Sequence, residues 1–342
     1  MKLRNLIYSA LASAFLLFAP LSSAPINVNG QENQLEKKIH VVFSPSSQET
    51  ERIDKQLIQL LNKAKEKIDI AIYDLDLQKI KQAILDAKAR GVKVRIVTDS
   101  DNFSGLEDLI SIPIVQDNRK ALMHNKFCVI DDVVWTGSYN FTFNGTFKNN
   151  NNAVYFASEK VARNYETEFE EMFNGKFGKG SPKNTPFSRI FYNNTEIETY
   201  FAPEDGVAGE ILNEVAEAKN SIYFLAFSFT SDKIGEAMIK KAKQGVEIKG
   251  IFEKRQISKY SEYEKMKEAG LESLEVYFDK NPAMMHDKVI IIDKSVVITG
   301  SYNFSKNAEQ RNDENILIIH NKDVAREYLD EFYSILKVKH KD

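Results

Sequence analysis

One stretch of this chain is written twice. Met123-His124-Asn125-Lys126 through Ile130-Asp131, then Val133-Val134-Trp135-Thr136-Gly137-Ser138-Tyr139-Asn140-Phe141, returns as Met285-His286-Asp287-Lys288 through Ile292-Asp293, then Val296-Val297-Ile298-Thr299-Gly300-Ser301-Tyr302-Asn303-Phe304. Thirteen positions are identical across a one-residue gap, which duplication explains and coincidence does not. Upstream, Ala64-Lys65-Glu66-Lys67-Ile68 matches Ala218-Lys219-Asn220-Ser221-Ile222, and Ala89-Arg90-Gly91-Val92 matches Lys243-Gln244-Gly245-Val246. Whatever one half folds into, the other half folds into it too.

The periodicities within each half alternate. Ile53, Leu57, Leu60, Leu61 and Ala64 fall at helical spacing, 68–73 is a short apolar run, 77–90 is helical again, and 92–97 reads as a buried strand. Gly91 and Gly245 stand where a helix must end and a strand begin. The second half predicts helices at 206–219 and 231–244 and strands at 221–227 and 246–252. Late in each half come paired strands, 126–130 with 133–136 and 288–292 with 295–299, turning at Asp131-Asp132 and Asp293-Lys294-Ser295. Terminal helices follow at 159–173 and 322–336. The fold class is therefore α/β, two units at 39–173 and 198–342, each a mixed sheet between helices. Residues 174–197, rich in Gly and Pro, read as the linker.

Composition removes other classes. With 43% apolar and 28% charged residues, 15 Gly and 8 Pro, the chain is neither collagenous nor broadly disordered. A net charge of −3 gives no general attraction to nucleic acid or anionic lipid, so any anion site is local. The single cysteine, Cys128, excludes an internal disulfide, and five scattered histidines offer no zinc-ligand spacing. Residues 1–24 carry Lys2 and Arg4, an apolar run from Leu6 to Phe18 and a small-residue stretch ending at Ala24, the layout of a secretory signal peptide. Export to a secreted or periplasmic location is expected, with an uncleaved N-terminal membrane anchor as the alternative, because Pro25 is a poor residue after a cleavage point. Residues 25–38, polar and rich in Asn, Gln and Glu, read as a flexible lead-in.

His124 and Lys126, like His286 and Lys288, lie two apart on one strand and so point to one face. After the hairpin, Ser138 and Asn140, or Ser301 and Asn303, return to the same strand end. Two lysines, two asparagines and two serines supply donors without a fixed negative charge beside the histidines, a set suited to a phosphate and needing no metal or other cofactor. A lone His-x-Lys pair on a strand is ordinarily a surface or core pair; duplication with Gly-Ser-x-Asn behind it points to function. Asp131 and Asp293 at the hairpin turns are expected to be structural, and Gly137 and Gly300 to let backbone approach the phosphate closely. Tyr139, Phe141, Tyr302, Phe304, Trp135 and Cys128 read as core.

These residues resemble a known family. H-x-K-x4-D followed by GS-x-N, present twice, is similar to the motif of the phospholipase D superfamily, and the resemblance runs from about residue 39 to 337. The compact GSYNF form and Asn312-Asp313-Glu314-Asn315 are most similar to its small endonuclease and mitochondrial branch. The resemblance implies two tandem phospholipase D-like α/β/α units forming a pseudo-dimer around one site. It also implies a ping-pong phosphodiesterase in which one histidine attacks phosphorus and the other protonates the leaving alcohol and then activates water. One chain carries both half-sites, so a monomer suffices.

The family places a carboxylate beyond the Asn, bonded to the catalytic histidine. Here Glu314 lies eleven residues after Asn303, while the same count from Asn140 reaches Asn151. Pairing within each half predicts Glu314 behind His286, raising its pKa, so that His124 attacks and His286 is the acid. For the substrate, hydrolysis of a phospholipid head group fits an exported enzyme. A metal-independent endonuclease is the alternative, with Arg119, Lys120, Lys148, Lys280, Lys306 and Arg311 as candidates to line a groove. A non-catalytic phosphate-binding module is the third reading.

Overall fold

The computed structural model describes residues 38–337. The expected signal peptide, and the lead-in except for Lys38, lie outside the described residues. In the first half the order is β1 (His40–Ser44), α1 (Ile53–Lys63), β2 (Lys67–Ile72), α2 (Gln78–Ala89), β3 (Lys93–Asp99), β4 (Ile114–Asp117), β5 (Lys126–Ile130), β6 (Val133–Gly137), α3 (Phe143–Phe147), β7 (Asn151–Ala157) and α4 (Glu159–Phe173). The second half runs β8 (Arg189–Tyr192), β9 (Thr195–Ala202), α5 (Val207–Glu217), β10 (Ser221–Ala226), α6 (Asp232–Lys243), β11 (Glu247–Phe252), α7 (Glu262–Glu268), β12 (Leu274–Phe278), β13 (Lys288–Ile292), β14 (Val296–Gly300), α8 (Lys306–Gln310), β15 (Glu314–His320) and α9 (Lys322–Lys337).

The seven-stranded sheet β1-β7-β6-β5-β2-β3-β4 is repeated as β9-β15-β14-β13-β10-β11-β12, with β8 added at the edge. Both are mixed: β2, β3 and β4 run parallel, and β5, β6 and β7 antiparallel. β2 follows this logic from its sequence. It is buried from Ile68 to Ile72, as a central strand covered on both faces must be, and its one charged residue there, Asp69, is held by the Arg95 guanidinium of β3.

Three apolar cores result. Ile53, Leu57 and Leu61 of α1 and Ile80 and Ile84 of α2 cover the outer face of the first sheet; α5, α6 and α7 do the same for the second. The inner faces share one core. Tyr165, Phe169 and Met172 of α4 and Tyr328, Phe332 and Ile335 of α9 join Phe127, Val129, Val289 and Ile291 there. The halves are thus welded through a common interior, with helical stripes at the alternating four- and three-residue spacing that one face requires.

The linker is shorter than its composition implies. Arg189–Tyr192 pairs with β9, which begins at Thr195, across a turn whose two residues, Asn193 and Asn194, have φ of 47° and 63°. Two consecutive left-handed residues make the hairpin turn that matches strand twist, and asparagine tolerates that conformation. Ile190 is buried between exposed Arg189 and Phe191, and half-buried Tyr192 packs against Phe156, so alternate side chains of this edge strand face the core.

Candidate active site

Two crossed connections build the site. The loop before β5 pairs with the approach to β15 of the other half: His124 N–H donates to Asp313 O (3.0 Å) and Asp313 N–H to Leu122 O (2.9 Å). The loop before β13 pairs with the approach to β7 in the same manner, His286 N–H to Asn150 O (2.8 Å) and Asn150 N–H to Met284 O (2.8 Å). A carboxylate at each preceding strand end steadies these loops, Asp99 accepting from Met123 N–H (2.9 Å) and Glu253 from Met285 N–H (2.7 Å).

This crossing corrects the expected pairing. Glu314, first residue of β15, accepts from Nδ1 of His124 at 2.8 Å, not from His286. Nδ1 of His286 meets the Asn151 amide oxygen at 2.9 Å and the Ser138 carbonyl at 3.1 Å. The Asn151 amide nitrogen donates to Gly145 O (3.2 Å), which orients its oxygen toward the ring. Each ring is therefore held by the opposite half, because the strand carrying the partner starts alongside the other half's histidine loop. Nδ1 is engaged on both rings, which leaves Nε2 for chemistry.

Ser138 and Ser301, expected to contact phosphate, have another task. Both are fully buried. Ser301 Oγ donates to the Glu314 carboxylate (2.7 Å) and accepts from Asn315 N–H (3.0 Å). Ser138 Oγ reaches Asn151 Oδ1 (3.3 Å) and accepts from Asn152 N–H (3.1 Å). They fix the groups that fix the histidines. Gly137 and Gly300 also differ from expectation: at φ of 150° and 152°, a Cβ would fall on the carbonyl oxygens of Asn152 and Asn315 in the neighbouring strand. The close approach seen here is between neighbouring strands. Asp131 accepts from the backbone N–H of Lys65, Glu66 and Lys67, and Asp293 from those of Lys219, Asn220 and Ser221, each tying its hairpin turn to the start of a neighbouring strand.

The lysines are buried beside the rings. Lys126 Nζ donates to His124 O (2.6 Å) and lies 5.2 Å from the Tyr73 ring; Lys288 Nζ donates to His286 O (2.7 Å) and lies 4.8 Å from the Phe227 ring. Tyr73 and Phe227 also stand edge-on to His124 and His286, at 5.1 and 4.7 Å. These two rings, at equivalent strand ends, carry no motif signal. Asn140 and Asn303 each keep a buried amide oxygen that no protein group among the described residues satisfies.

Electrostatics unite these groups. Burial pushes His124 down to about 4 against the pull of Glu314, with Lys126 and Lys288 adding to the fall. Burial, Lys288, Lys126 and His124 together hold His286 well below its ordinary value. Lys126 is pushed down to about 7 by burial, and Lys288 is lowered by burial and Lys126. Four basic groups from both halves repel one another around one volume, and an anionic phosphate among them would oppose the fall of each. Burial raises Glu314, but His124, Lys126 and Ser301 outweigh it and keep the carboxylate below its usual range.

A second buried network joins the halves behind the rings. Asn315 donates to Asn125 Oδ1 (2.7 Å) and accepts from Thr136 (2.7 Å) and Tyr165 (3.1 Å). Asn152 donates to Asp287 (2.6 Å) and accepts from Thr299 (2.6 Å) and Tyr328 (3.0 Å). Asn152 and Asn315 follow Asn151 and Glu314 directly, so aligning the repeats past the GS-x-N motif would have found them. Arg119, a candidate for the groove, is instead paired with Asp117 and Asp313.

The family model for cardiolipin synthase, PLD-like domain, matches residues 57–173 and 211–336, more than half of the chain. The chain belongs to the phospholipase D superfamily. A phospholipase D of Rickettsia bellii is 33% identical over 153 residues, 45% of this chain and 75% of that protein. The mitochondrial cardiolipin hydrolase of Homo sapiens is 30% identical over 132 residues, 38% of this chain and 51% of that protein. Each relative aligns with less than half of this superfamily member. The phosphatidylserine synthase of Haemophilus influenzae, 13% identical, covers 87% of this chain and 86% of its own with a TM-score of 0.65, a likeness of fold across both repeats.

Proposed function

We propose that this phosphodiesterase of the phospholipase D superfamily hydrolyses the head-group ester of a phospholipid through a covalent phosphohistidine, without a metal ion. The observation that carries the chemistry is the crossed bracing of two imidazoles whose Nε2 atoms meet no partner among the described residues, beside two buried lysines. His124 Nε2 attacks phosphorus, the P–O bond to the head group breaks, and His286 gives its proton to the departing oxygen. Water then attacks phosphorus, His286 takes the proton, and the P–N bond breaks. Lys126, Lys288, Asn140 and Asn303 serve the equatorial oxygens, where transition-state charge gathers.

The assignment of His124 as nucleophile rests on charge rather than on the pairing expected from spacing. Phosphorylated at Nε2 and protonated at Nδ1, a histidine ring is cationic, and Glu314 is the only one of the two Nδ1 side-chain partners that neutralises it. His286, held by neutral oxygens, makes the stronger acid once the phosphate anion has helped to protonate it. The names of the relatives, phospholipase D and cardiolipin hydrolase, support a lipid substrate. Export on the N-terminal leader and action as a monomer are part of the same proposal; among the described residues no helix is long and apolar enough to cross a membrane.

The test is hydrolysis of phosphatidylcholine and cardiolipin vesicles in EDTA, beside single-stranded DNA and RNA, for wild type and His124→Ala. Release of head group that His124→Ala abolishes is expected. Cleavage of nucleic acid alone would replace this reading with the endonuclease, and dependence on a divalent ion would overturn the mechanism.

A further inference from the structure

The two short helices that follow the GS-x-N motifs are built alike and dressed differently. Both α3 and α8 have five residues, with Thr142 Oγ1 accepting from Gly145 N–H (2.9 Å) and Ser305 Oγ from Ala308 N–H (3.3 Å) at their starts. Where α8 carries Lys306 and Gln310, α3 carries Phe143 and Phe147. The fold therefore does not demand aromatics at these positions. Yet Phe143 is 52% exposed and Phe147 37%, their ring centres 4.8 Å apart. The Lys148 ammonium lies 5.5 Å from the Phe143 ring, and the Arg52 guanidinium 4.8 Å from that of Phe147.

Hydrogen bonds tie this helix to loops beside both histidines. Phe143 N–H donates to Asp76 (2.6 Å), in the loop that begins with Tyr73, the ring edge-on to His124. At the other end Lys148 O accepts from Asn281 (2.9 Å), which also donates to Asn150 (2.6 Å), whose carbonyl receives His286 N–H (2.8 Å). Helix α3 thus runs from the loop whose Tyr73 packs on His124 to the loop that carries His286.

We propose that Phe143 and Phe147, with Lys148 beside them, form a wedge that seats the active-site mouth on an anionic phospholipid bilayer. Phenyl rings enter the acyl boundary while the adjacent ammonium meets the head-group phosphates, the division of labour of interfacial aromatic and basic side chains. The wedge stands on one lip only, so the enzyme meets the bilayer asymmetrically and a head group is presented to the histidines from the α3 side. The inference rests on the lipid reading above and deepens it.

The test exchanges the two rings for the residues the other repeat uses, Phe143→Lys with Phe147→Gln, side chains the same helix already accommodates in α8. Co-sedimentation with vesicles of phosphatidylcholine and phosphatidylglycerol is expected to fall about tenfold or more. Turnover of vesicle lipid should fall by the same factor, and that of monomeric dihexanoyl-phosphatidylcholine should not change. Phe143→Trp is a second probe: its emission should shift to the blue with vesicles, since the native Trp135 is buried. Vesicle partitioning unchanged by the exchange, or an unshifted emission, overturns the wedge even if lipid is hydrolysed. Ring-dependent partitioning without lipid turnover keeps the wedge and sinks the lipid reading. Loss of single-stranded DNA binding with vesicle binding intact makes the rings a base-stacking platform and overturns the proposal.

Discussion

His124 and His286 occupy equivalent places on duplicated loops, yet one Nδ1 meets a carboxylate and the other an amide and a carbonyl. That difference separates their roles, and a diester with a p-nitrophenolate leaving group isolates them, because so weak a base departs without a proton. With it, His124→Ala should abolish phosphoenzyme formation, Glu314→Gln should slow it about 10²-fold, and His286→Ala should retain most of it. Phosphate trapped on His286 would reverse the assignment. A second outcome follows from the acid's need to be protonated. Asn151→Asp places a charge on His286 and raises its pKa, so the alkaline limb of the kcat/KM profile for an alkyl ester should move to higher pH. An unmoved limb would show that His286 is not the group titrating there. The histidines, lysines and asparagines stand out in the sequence as candidates because a repeated His-x-Lys with Gly-Ser-x-Asn has few meanings. The crossing of Glu314 to His124 was not, because spacing within one half says nothing about which half a strand will start beside. Ser138 and Ser301 misled for a related reason: a hydroxyl reads as a phosphate donor until its buried partners are seen.

The turns and strand contacts that hold these loops can be tested as elements. Burial works against the Asp293 carboxylate, but three backbone N–H groups hold its pKa below the ordinary range. Asp293→Ala should cost about 2 kcal/mol in urea unfolding at pH 7. A depressed carboxyl stabilises above its unfolded pKa and is lost as pH falls through the folded one, so wild type and variant should converge below about pH 4. Gly300→Ala, which sets a methyl against the Asn315 carbonyl at positive φ, should cost about 2–3 kcal/mol and also loosen Glu314, one residue away. A variant as stable as wild type would mean that the strands can part at no cost. Among elements, α1, α2, β2, β3 and the hairpins β5-β6 and β13-β14 were readable from periodicity. β7 and β15 were not. Both are buried in all but their last residue and open on polar residues, Asn151-Asn152 and Glu314-Asn315, whose place at the site hides the strand signal. β8 is hidden by its Gly- and Pro-rich surroundings, where the Asn193-Asn194 pair is the signal of a hairpin turn.

Across the whole molecule, the duplication announced two α/β units but not that their inner faces would merge, since each apolar stripe fits its own sheet as well as a partner's. The merger buries acids along with apolar side chains. Glu168 of α4 and Glu204, in the turn between β9 and α5, share a hydrogen bond across the halves, with Glu171, Asp205 and Asp313 nearby and Arg119 bound to the last of these. Burial raises both, Glu204 to about 7. A carboxyl raised on folding stabilises fully below its unfolded pKa, near 4.5, and that stability is lost as pH rises through the folded value. Glu204→Gln, which keeps a hydrogen bond without a charge, should therefore raise Tm at pH 8 and leave it nearly unchanged at pH 4. An equal shift at both would show that the pair does not titrate.

Because each ring is completed by the opposite copy, two separate identical subunits would have to give both histidines the same companion. Joining the copies in one polypeptide lifts that obligation. Position 314 can keep an acid while its counterpart 151 becomes an amide, and two once-interchangeable groups are free to specialise, one for bonding to phosphorus and one for carrying hydrogen.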